Sequence, residues 1–157
     1  MFKPKHIFFS LIILVGCYVC NYSQITAKDT SIPVESKRPA TQIVKSSLAY
    51  AELLLRRTER ESELEEFALD YTDEFPKVKE IKFELNLINK EMNKLLAVGA
   101  ADAGKLTLAL GKLLVRKTEI ETDLWNLRRQ YNDDHPEVKR AKRKTEVFEK
   151  AIREILP

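Results

Sequence analysis

The sequence predicts an all-α protein made of two repeated helical hairpins, each an antiparallel coiled coil, that pack together as a four-helix bundle. Three observations predict this fold. Apolar residues recur with heptad spacing through most of the chain after residue 45. Glycine (4) and proline (6) are scarce, and the 44% of hydrophobic residues is too high for a disordered chain. Finally, one stretch recurs at an offset of 60 residues.

Residues 1–27 are predicted to be a signal peptide. A basic start precedes the apolar run 7–15, which is short for a membrane-spanning helix of roughly 20 residues and suits a secretory signal. Two cleavage sites remain open. Cleavage after Ala27 fits ordinary signal processing, whereas cleavage after Gly16 would leave Cys17 as a lipidated N-terminus. Both predict export to the periplasm or cell envelope, and the second predicts a lipid anchor at Cys17.

Cys17 and Cys20 are the two cysteines of the chain, and their C-x-x-C spacing is found in redox and metal motifs. No βαβ pattern surrounds them, and no second Cys or His pair completes a metal site. They are therefore not predicted to bind a metal. A mature chain cleaved after Ala27 contains no cysteine and depends on helix packing for its stability.

The rest of the chain divides into four segments. Residues 28–45 contain serine and proline without apolar periodicity, which predicts a flexible tether. The first hairpin is predicted over 46–97 and the second over 105–157. Between them, the linker 98–104 has two glycines and small residues, which interrupt the heptad pattern.

The repeat supports this division. Residues 53–96 align with 113–156 without a gap, and fifteen of the 44 positions are identical. Shared coiled-coil composition does not explain a matched tyrosine, aspartate and proline. These residues form the predicted hairpin-turn motif, which consists of Tyr71, Asp73 and Pro76 in the first copy and Tyr131, Asp133 and Pro136 in the second.

The turn motif predicts where each hairpin reverses. Proline is tolerated in the first turn of a helix, where backbone N–H groups have no partner, but is costly in its interior. Thr72 or Asp73, and Asn132 or Asp133, are suitable N-caps for a helix that begins there. The helices are thus predicted over 46–71, 75–97, 105–131 and 135–156. Because the heptad register continues through both prolines, a kinked continuous helix remains the alternative.

The heptads predict a core on one face of each helix. Tyr71 and Tyr131 occupy a positions and are predicted to close the hairpin end, with their hydroxyls at the wet rim. Trp125 is predicted to flank the core. The other predicted core positions before and after the turns include Leu64, Phe67, Val78, Ile81, Ile88, Leu95, Leu110, Leu113, Ile120, Leu124, Leu127, Val138, Phe148 and Ile152.

The motif L-x-x-F-x-x-x-Y-T-D-E-F-P-K-V, from Leu64, and its second copy from Leu124 resemble the L-x-x-L-x-x-x-Y-T-D-x-H-P-x-V signature of polysaccharide co-polymerases, the chain-length determinants of exopolysaccharide export. The resemblance implies a periplasmic coiled-coil element and an envelope location. It covers about 35 residues per copy. Phe75 stands where the signature has histidine, and the family's flanking membrane helices and kinase are not seen, so polysaccharide length control does not follow.

No residue pattern predicts an enzyme. The chain lacks a nucleophile elbow, a phosphate loop, a zinc motif and a dinucleotide fingerprint. His135, the single histidine after residue 27, has Phe75 as its repeat partner, so the fold does not depend on a ligand nitrogen there. The acids Asp73 and Asp133 are predicted to cap helices. No catalytic residue, metal or cofactor is expected.

Charge predicts the partners. Residues 46–97 have 8 Lys and Arg against 12 Asp and Glu, whereas residues 105–157 have 13 against 9, so the copies carry −4 and +4. Opposite charge favours packing of one copy on the other. The second copy also contains a basic run, which would contact an anionic partner if it is not a solvated face: Lys139, Arg140, Lys142, Arg143 and Lys144.

Two functions follow from these expectations. The first is a non-enzymatic scaffold or protein-interaction module of the bacterial cell envelope, which binds an envelope protein or itself through helix faces. The alternative is an accessory module that binds acidic polysaccharide or anionic membrane through the basic run, in polysaccharide export. Nucleic acid is not an expected partner, because an exported protein seldom meets it.

Overall fold

A computed structural model describes residues 39–157 of the chain. The predicted signal segment, with Cys17, and the part of the predicted tether before Pro39 lie outside the described residues. The elements are the α-helices α1 (Ala40–Lys45), α2 (Leu48–Asp70) and α3 (Pro76–Leu96), a 3₁₀ helix (Ala100–Lys105), and the α-helices α4 (Leu108–Gln130) and α5 (Pro136–Ile155). No strand occurs in residues 39–157. The predicted all-α class is confirmed.

Polar caps and prolines set the starts of the long helices. The Ser47 hydroxyl accepts a hydrogen bond from the Tyr50 N–H at 3.2 Å, and the Thr107 hydroxyl accepts from Leu110 N–H at 3.3 Å. Each bond satisfies one backbone donor of a first turn. The prolines at 76 and 136 are the first residues of α3 and α5. Their missing N–H costs nothing at that position.

The predicted N-caps of α3 and α5 are wrong. The residues that precede the two helices are Phe75 and His135, in extended or near-extended conformations that a following proline favours. Asp73 and Asp133 lie two residues earlier, too far to reach the first turn as caps. Asp73 instead forms an ion pair with Lys82 at 2.7 Å.

The chain reverses direction at each proline motif. Arg56 of α2 binds Glu84 of α3 with an N–O distance of 2.7 Å. In one continuous helix these residues would lie about 42 Å apart, so the kinked-helix alternative does not fit. In the same way, Lys117 of α4 lies 3.9 Å from Glu149 of α5. The partners within α2–α3 and within α4–α5 are therefore antiparallel.

Helix α4 occupies the centre of the fold. It packs on α2, α3 and α5, whereas α5 packs chiefly on α4. Gly111 lies against Ala49, and Glu119 binds Arg56 at 3.1 Å, so α2 and α4 run parallel and nearly in register. The arrangement is thus an open stack of two helix pairs. It differs from the predicted four-helix bundle, because α2 and α4 run in the same direction and α5 packs chiefly on α4.

The core lies between α2, α3 and α4, under the N-terminal end of α2. Short helix α1 closes it through Val44, which is fully buried. The predicted tether is therefore wrong over residues 40–45, because burial of Val44 orders that turn. The central cluster consists of Val44, Ala49, Leu53, Ile88, Met92, Leu95, Leu106, Leu110 and Leu114.

Residues 40–96 form the N-terminal half of the described chain, and residues 100–155 form the C-terminal half. Every element of the N-terminal half has a counterpart 60 residues later in the C-terminal half. Helix α1 corresponds to the 3₁₀ helix, α2 to α4, and α3 to α5; the first residues of all three pairs differ by 60. The caps Ser47 and Thr107 obey the same offset. The correspondence thus extends beyond the aligned sequence, to the short helices before it.

Candidate functional site

The turn motifs form two small aromatic stacks at one end of the fold. The ring of Tyr71 stacks on Phe75 with centroids 4.1 Å apart, and Tyr131 stacks on His135 at 4.0 Å. Both tyrosines are almost half exposed. Their predicted place in the core is therefore wrong, because the chain leaves the helix at the tyrosine and turns its ring outward onto the next aromatic.

The acids of the turn motifs are surface ion-pair partners. Asp133 accepts hydrogen bonds from Lys142 and Arg128, each at 3.1 Å, and these bonds hold the pKa of its carboxyl below the ordinary value. Asp73 has a similar role with Lys82. Because basic side chains balance the charge of these carboxylates, the ion pairs are suited to stabilising the turns. No group of side chains in residues 39–157 has the composition and spacing to hold a metal ion.

Two groups of partly buried ion pairs join α4 to the helices of the N-terminal half. In the first, Arg56 joins Glu84 of α3 to Glu119 of α4. In the second, the Lys117 ammonium donates to Glu91 at 3.0 Å and lies 3.3 Å from Glu121. Buried charge is costly unless it is paired. In both groups each charge that is withdrawn from solvent has a partner of opposite sign.

Titration of the second group follows from its pairing. Burial opposes ionisation of Glu91, but hydrogen bonds from Lys94 and Lys117 outweigh burial and hold the pKa of Glu91 below its ordinary value. Burial likewise opposes the charge on Lys117, and the bonds to Glu91 and Glu121 outweigh it and raise the Lys117 pKa. Both groups stay charged near neutral pH, so neither is poised to transfer a proton.

An aromatic pair joins α3 to α4 beside this interior. Phe83 and Trp125 stack with centroids 4.8 Å apart and an interplanar angle of 13°. The Arg129 guanidinium lies 4.7 Å from the Trp125 ring, in the range of a cation–π contact. The predicted flanking position of Trp125 agrees with this contact between helices.

The basic run of α5 is split between ion pairs and open surface. Lys139 binds Asp134 at 3.0 Å, and Lys142 binds Asp133. Arg143 and Lys144 are exposed, and neither takes part in an ion pair among residues 39–157. Arg140 is exposed as well and pairs within its own helix with Glu137 at 2.5 Å. The open positions 140, 143 and 144 share one helix face.

A row of exposed leucines lies on α2, and the heptad analysis missed it. Leu55 is 58% exposed and Leu69 is 86% exposed, and Leu48 and Leu54 are also open. They lie outside the predicted a and d positions, so the heptad pattern did not assign them a role. A helix that already has an apolar heptad face needs no further leucines to pack. Leucines outside that face could therefore have predicted this exposed surface.

Among residues 39–157, no helix combines the length and the apolar character that spanning a membrane requires. No protein-family model, curated protein or solved structure matches the chain. The exposed side chains of the described residues offer two candidate functional surfaces, the leucine row of α2 and the basic face of α5.

Proposed function

We propose that the protein is a non-enzymatic scaffold or interaction module of the bacterial cell envelope, which binds a protein partner through open helix faces. The observation that carries this proposal is the exposed leucine row on α2, which includes Leu48, Leu54 and Leu55. Single exposed leucines are ordinary, but several along one helix favour a binding surface. Acidic residues beside the row would select a basic partner.

The proposal includes a duplicated helical hairpin as the building unit. The shared offset of 60 residues in the helices and in the caps Ser47 and Thr107 supports this relation. The turn stacks around Tyr71 and Tyr131 support it further. A chain of two such units suits a spacer or an adaptor between proteins.

Photo-crosslinking tests the interaction. A photoreactive phenylalanine analogue at Leu55, in the leucine row, is expected to give a defined protein adduct in envelope fractions. The same analogue at Lys90, which is exposed on α3, is the control and is expected to give none. Absence of any adduct at Leu55 contradicts the interaction role, and mass spectrometry identifies whether an adduct contains this chain or another protein.

Export is part of the proposal and has its own test. Mass spectrometry of the protein recovered from cells is expected to show cleavage after Gly16 or Ala27. An intact Met1 contradicts export. Loss of membrane attachment in Cys17→Ala selects the lipoprotein route, whereas unchanged attachment selects the other cleavage site.

The second candidate function is binding of acidic polysaccharide or anionic lipid. The observation in its favour is the exposed face of Arg140, Arg143 and Lys144 on α5. The resemblance of the turn motifs to polysaccharide co-polymerases supports the same candidate. Binding to vesicles containing anionic lipid, or to an acidic polysaccharide, should then fall with added salt. It should also fall in the Arg143→Glu, Lys144→Glu double variant; binding that ignores both changes excludes this candidate.

A further inference from the structure

The two halves of the molecule pack side by side in the same direction. Each half therefore leaves open the surface that corresponds to the one its neighbour uses in this contact. Helices α2 and α4 are parallel and nearly in register, as the Ala49–Gly111 contact and the Arg56–Glu119 ion pair require. A stack of this kind is not closed by symmetry, so a third unit would pack on the second as the second packs on the first. The open surfaces can therefore be read from the contact between the halves.

The front face is the surface of α2 that corresponds to the side of α4 that packs on the N-terminal half. Leu54 is 44% exposed, whereas its counterpart Leu114 is 3% exposed. Thr58 is exposed, whereas its counterpart Thr118 is buried. The front face consists of Ala51, Leu54, Thr58, Glu59, Glu65 and Glu66.

The rear face is the surface of α4 and α5 that corresponds to the part of α2 and α3 covered by α4. Ala109 is exposed, whereas its counterpart Ala49 is buried. Lys144 is exposed, whereas its counterpart Glu84 is buried. The rear face consists of Ala109, Lys112, Arg116, Arg140, Arg143 and Lys144.

The first internal contact predicts an ion pair between these faces. Arg56 of α2 binds Glu119 of α4 at 3.1 Å. The counterpart of Arg56 on the rear face is Arg116, and the counterpart of Glu119 on the front face is Glu59. Stacking a second chain in the same way therefore brings an arginine to a glutamate again.

The second internal contact gives the same result with different residues. The Asn126 amide donates to the Glu80 carboxylate at 2.7 Å. Their counterparts are Glu66 on the front face and Arg140 on the rear face. Within the chain this contact is a hydrogen bond between a neutral and a charged side chain. Between two chains the corresponding contact would be an ion pair.

The third internal contact is the aromatic stack of Phe83 on Trp125, with centroids 4.8 Å apart. The counterpart of Phe83 is Arg143 on the rear face, and the counterpart of Trp125 is Glu65 on the front face. The apolar stack is thus replaced by a third pair of opposite charges. Complementary charge at all three positions selects one orientation of two chains.

We propose that the rear face of one chain binds the front face of a second copy, so that the protein assembles head to tail. This inference rests on the proposed function as an interaction module and names its partner. A heterologous contact of this kind gives an open filament, or a ring if the rotation closes. The exposed leucines beside the front face add apolar area to an interface that is otherwise charged.

The contact between chains is looser than the contact within a chain. A Cβ at Gly111 would lie 2.8 Å from the Glu52 Cβ and 2.9 Å from the Ala49 Cα, so α2 and α4 touch at that glycine. Its counterpart on the front face is Ala51, which carries a Cβ. The helices of two chains must therefore lie further apart, and the assembly is reversible and dependent on concentration.

Sedimentation velocity of the purified full chain over a concentration series tests the proposal. The rear-face variant Arg140→Glu, Arg143→Glu and the front-face variant Glu65→Arg, Glu66→Arg should each raise the dissociation constant by about tenfold or more. The control variant Lys150→Glu, Arg153→Glu makes the same charge change on the same helix. Its N-terminal counterparts Lys90 and Asn93 are exposed, so the control should associate like the wild type.

Mixing the two face variants separates head-to-tail binding from other modes. The rear-face variant has two acidic faces, and the front-face variant has two basic faces, so neither should associate alone. In the mixture each acidic face can bind a basic face of the other variant, so association should return. All variants have the same residues before Pro39, so any association through that part of the chain is the same in each. Recovery of association in the mixture supports the proposal, and failure to recover, with helicity unchanged by circular dichroism, overturns it.

Other outcomes separate this inference from the proposed function. A full chain that stays monomeric up to about 1 mM overturns the head-to-tail assembly. A Leu55 adduct with a different protein would then still support the interaction role. An adduct that contains only this chain, lost in the rear-face variant, supports both, whereas monomeric protein without any adduct contradicts both.

Discussion

Helices α3 and α5 occupy corresponding places in the two halves but are buried very differently. Helix α3 buries Val78, Ile81, Glu84, Ile88, Glu91, Met92 and Leu95, whereas α5 buries Val138 alone. Both begin with proline after the same kind of turn. Helix α3 is covered by α2 on one side and α4 on the other, and α5 has α4 as its principal neighbour.

The difference shows that burial here depends on the neighbour as much as on the helix sequence. Ile152 and Ile155 have heptad spacing, as Met92 and Leu95 do, yet they are only partly buried. At the position where α3 has the buried Glu84, α5 has the exposed Lys144. Matched substitutions in the two halves therefore measure what the central helix α4 contributes.

The largest expected effect compares two leucines that the repeat aligns. Leu53 is fully buried and Leu113 is partly buried. Leu53→Ala should lower the free energy of unfolding by about 2–5 kcal/mol, and Leu113→Ala by under about 2 kcal/mol, because the cavity is smaller at an open site. Urea unfolding followed by circular dichroism measures both, and equal losses would contradict the difference between the halves.

A buried carboxylate that the C-terminal half lacks at the aligned position gives the next effect. Glu91 binds Lys117, and its counterpart in α5 is Ala151. Glu91→Gln should cost about 3 kcal/mol at neutral pH, the low end for breaking a buried pair, because Glu121 still faces Lys117.

The pH dependence of that loss follows from the lowered pKa of Glu91. The stability it contributes is fully present above the ordinary glutamate pKa of about 4.3, and is lost as the pH falls through the lower pKa of the folded protein. Wild type and Glu91→Gln should therefore differ in urea unfolding near neutral pH and converge in strong acid. A difference that grew on acidification would contradict the assignment.

A smaller effect is expected where α2 and α4 touch. Gly111→Ala places a Cβ against Glu52 and Ala49 and should cost about 1–3 kcal/mol through forced separation of the helices. The reverse change at the exposed counterpart, Ala51→Gly, should cost about 0.5–1 kcal/mol from helix propensity alone. Thermal unfolding distinguishes them; a Gly111→Ala variant more stable than the wild type would show that the helices can move apart freely.

The smallest effect is expected where the two halves agree. Lys90 and Lys150 are aligned by the repeat, and both are exposed. Replacing either with alanine should change the free energy of unfolding by under about 0.5 kcal/mol. A larger loss at Lys150 would show that α5 has a neighbour in solution, and sedimentation of the same sample would identify whether that neighbour is a second copy.

Helix positions were predictable because local signals determine them. The prolines at 76 and 136 mark the helix starts, and the predicted bounds agree to within one residue except at the starts of α2 and α4. Those starts depend on the hydroxyls of Ser47 and Thr107, whose role was not recognised. Helix α1 was missed because a six-residue helix with one buried side chain, Val44, has no detectable period.

The packing of the helices was less predictable, since heptad spacing identifies an apolar face without its neighbour. Tyr71 and Tyr131 follow the heptad pattern but lie where the helix has ended, so they are half exposed. The charge difference between the copies predicted that they would pack together, but not that they would lie parallel. Comparing individual aligned residues, such as Glu84 with Lys144, carries more information than the net charges.

The central position of α4 also determines the order in which the chain can fold during synthesis. The apolar side chains Ile88 and Met92 lie in one buried cluster with Leu110 and Leu114 of α4. The 34 residues that follow Leu96, up to Gln130, take roughly 2–7 s to synthesise at about 5–20 residues per second. For that interval the side chains of the first hairpin that pack on α4 in the folded protein lack this partner, so the central cluster cannot form until α4 has been synthesised.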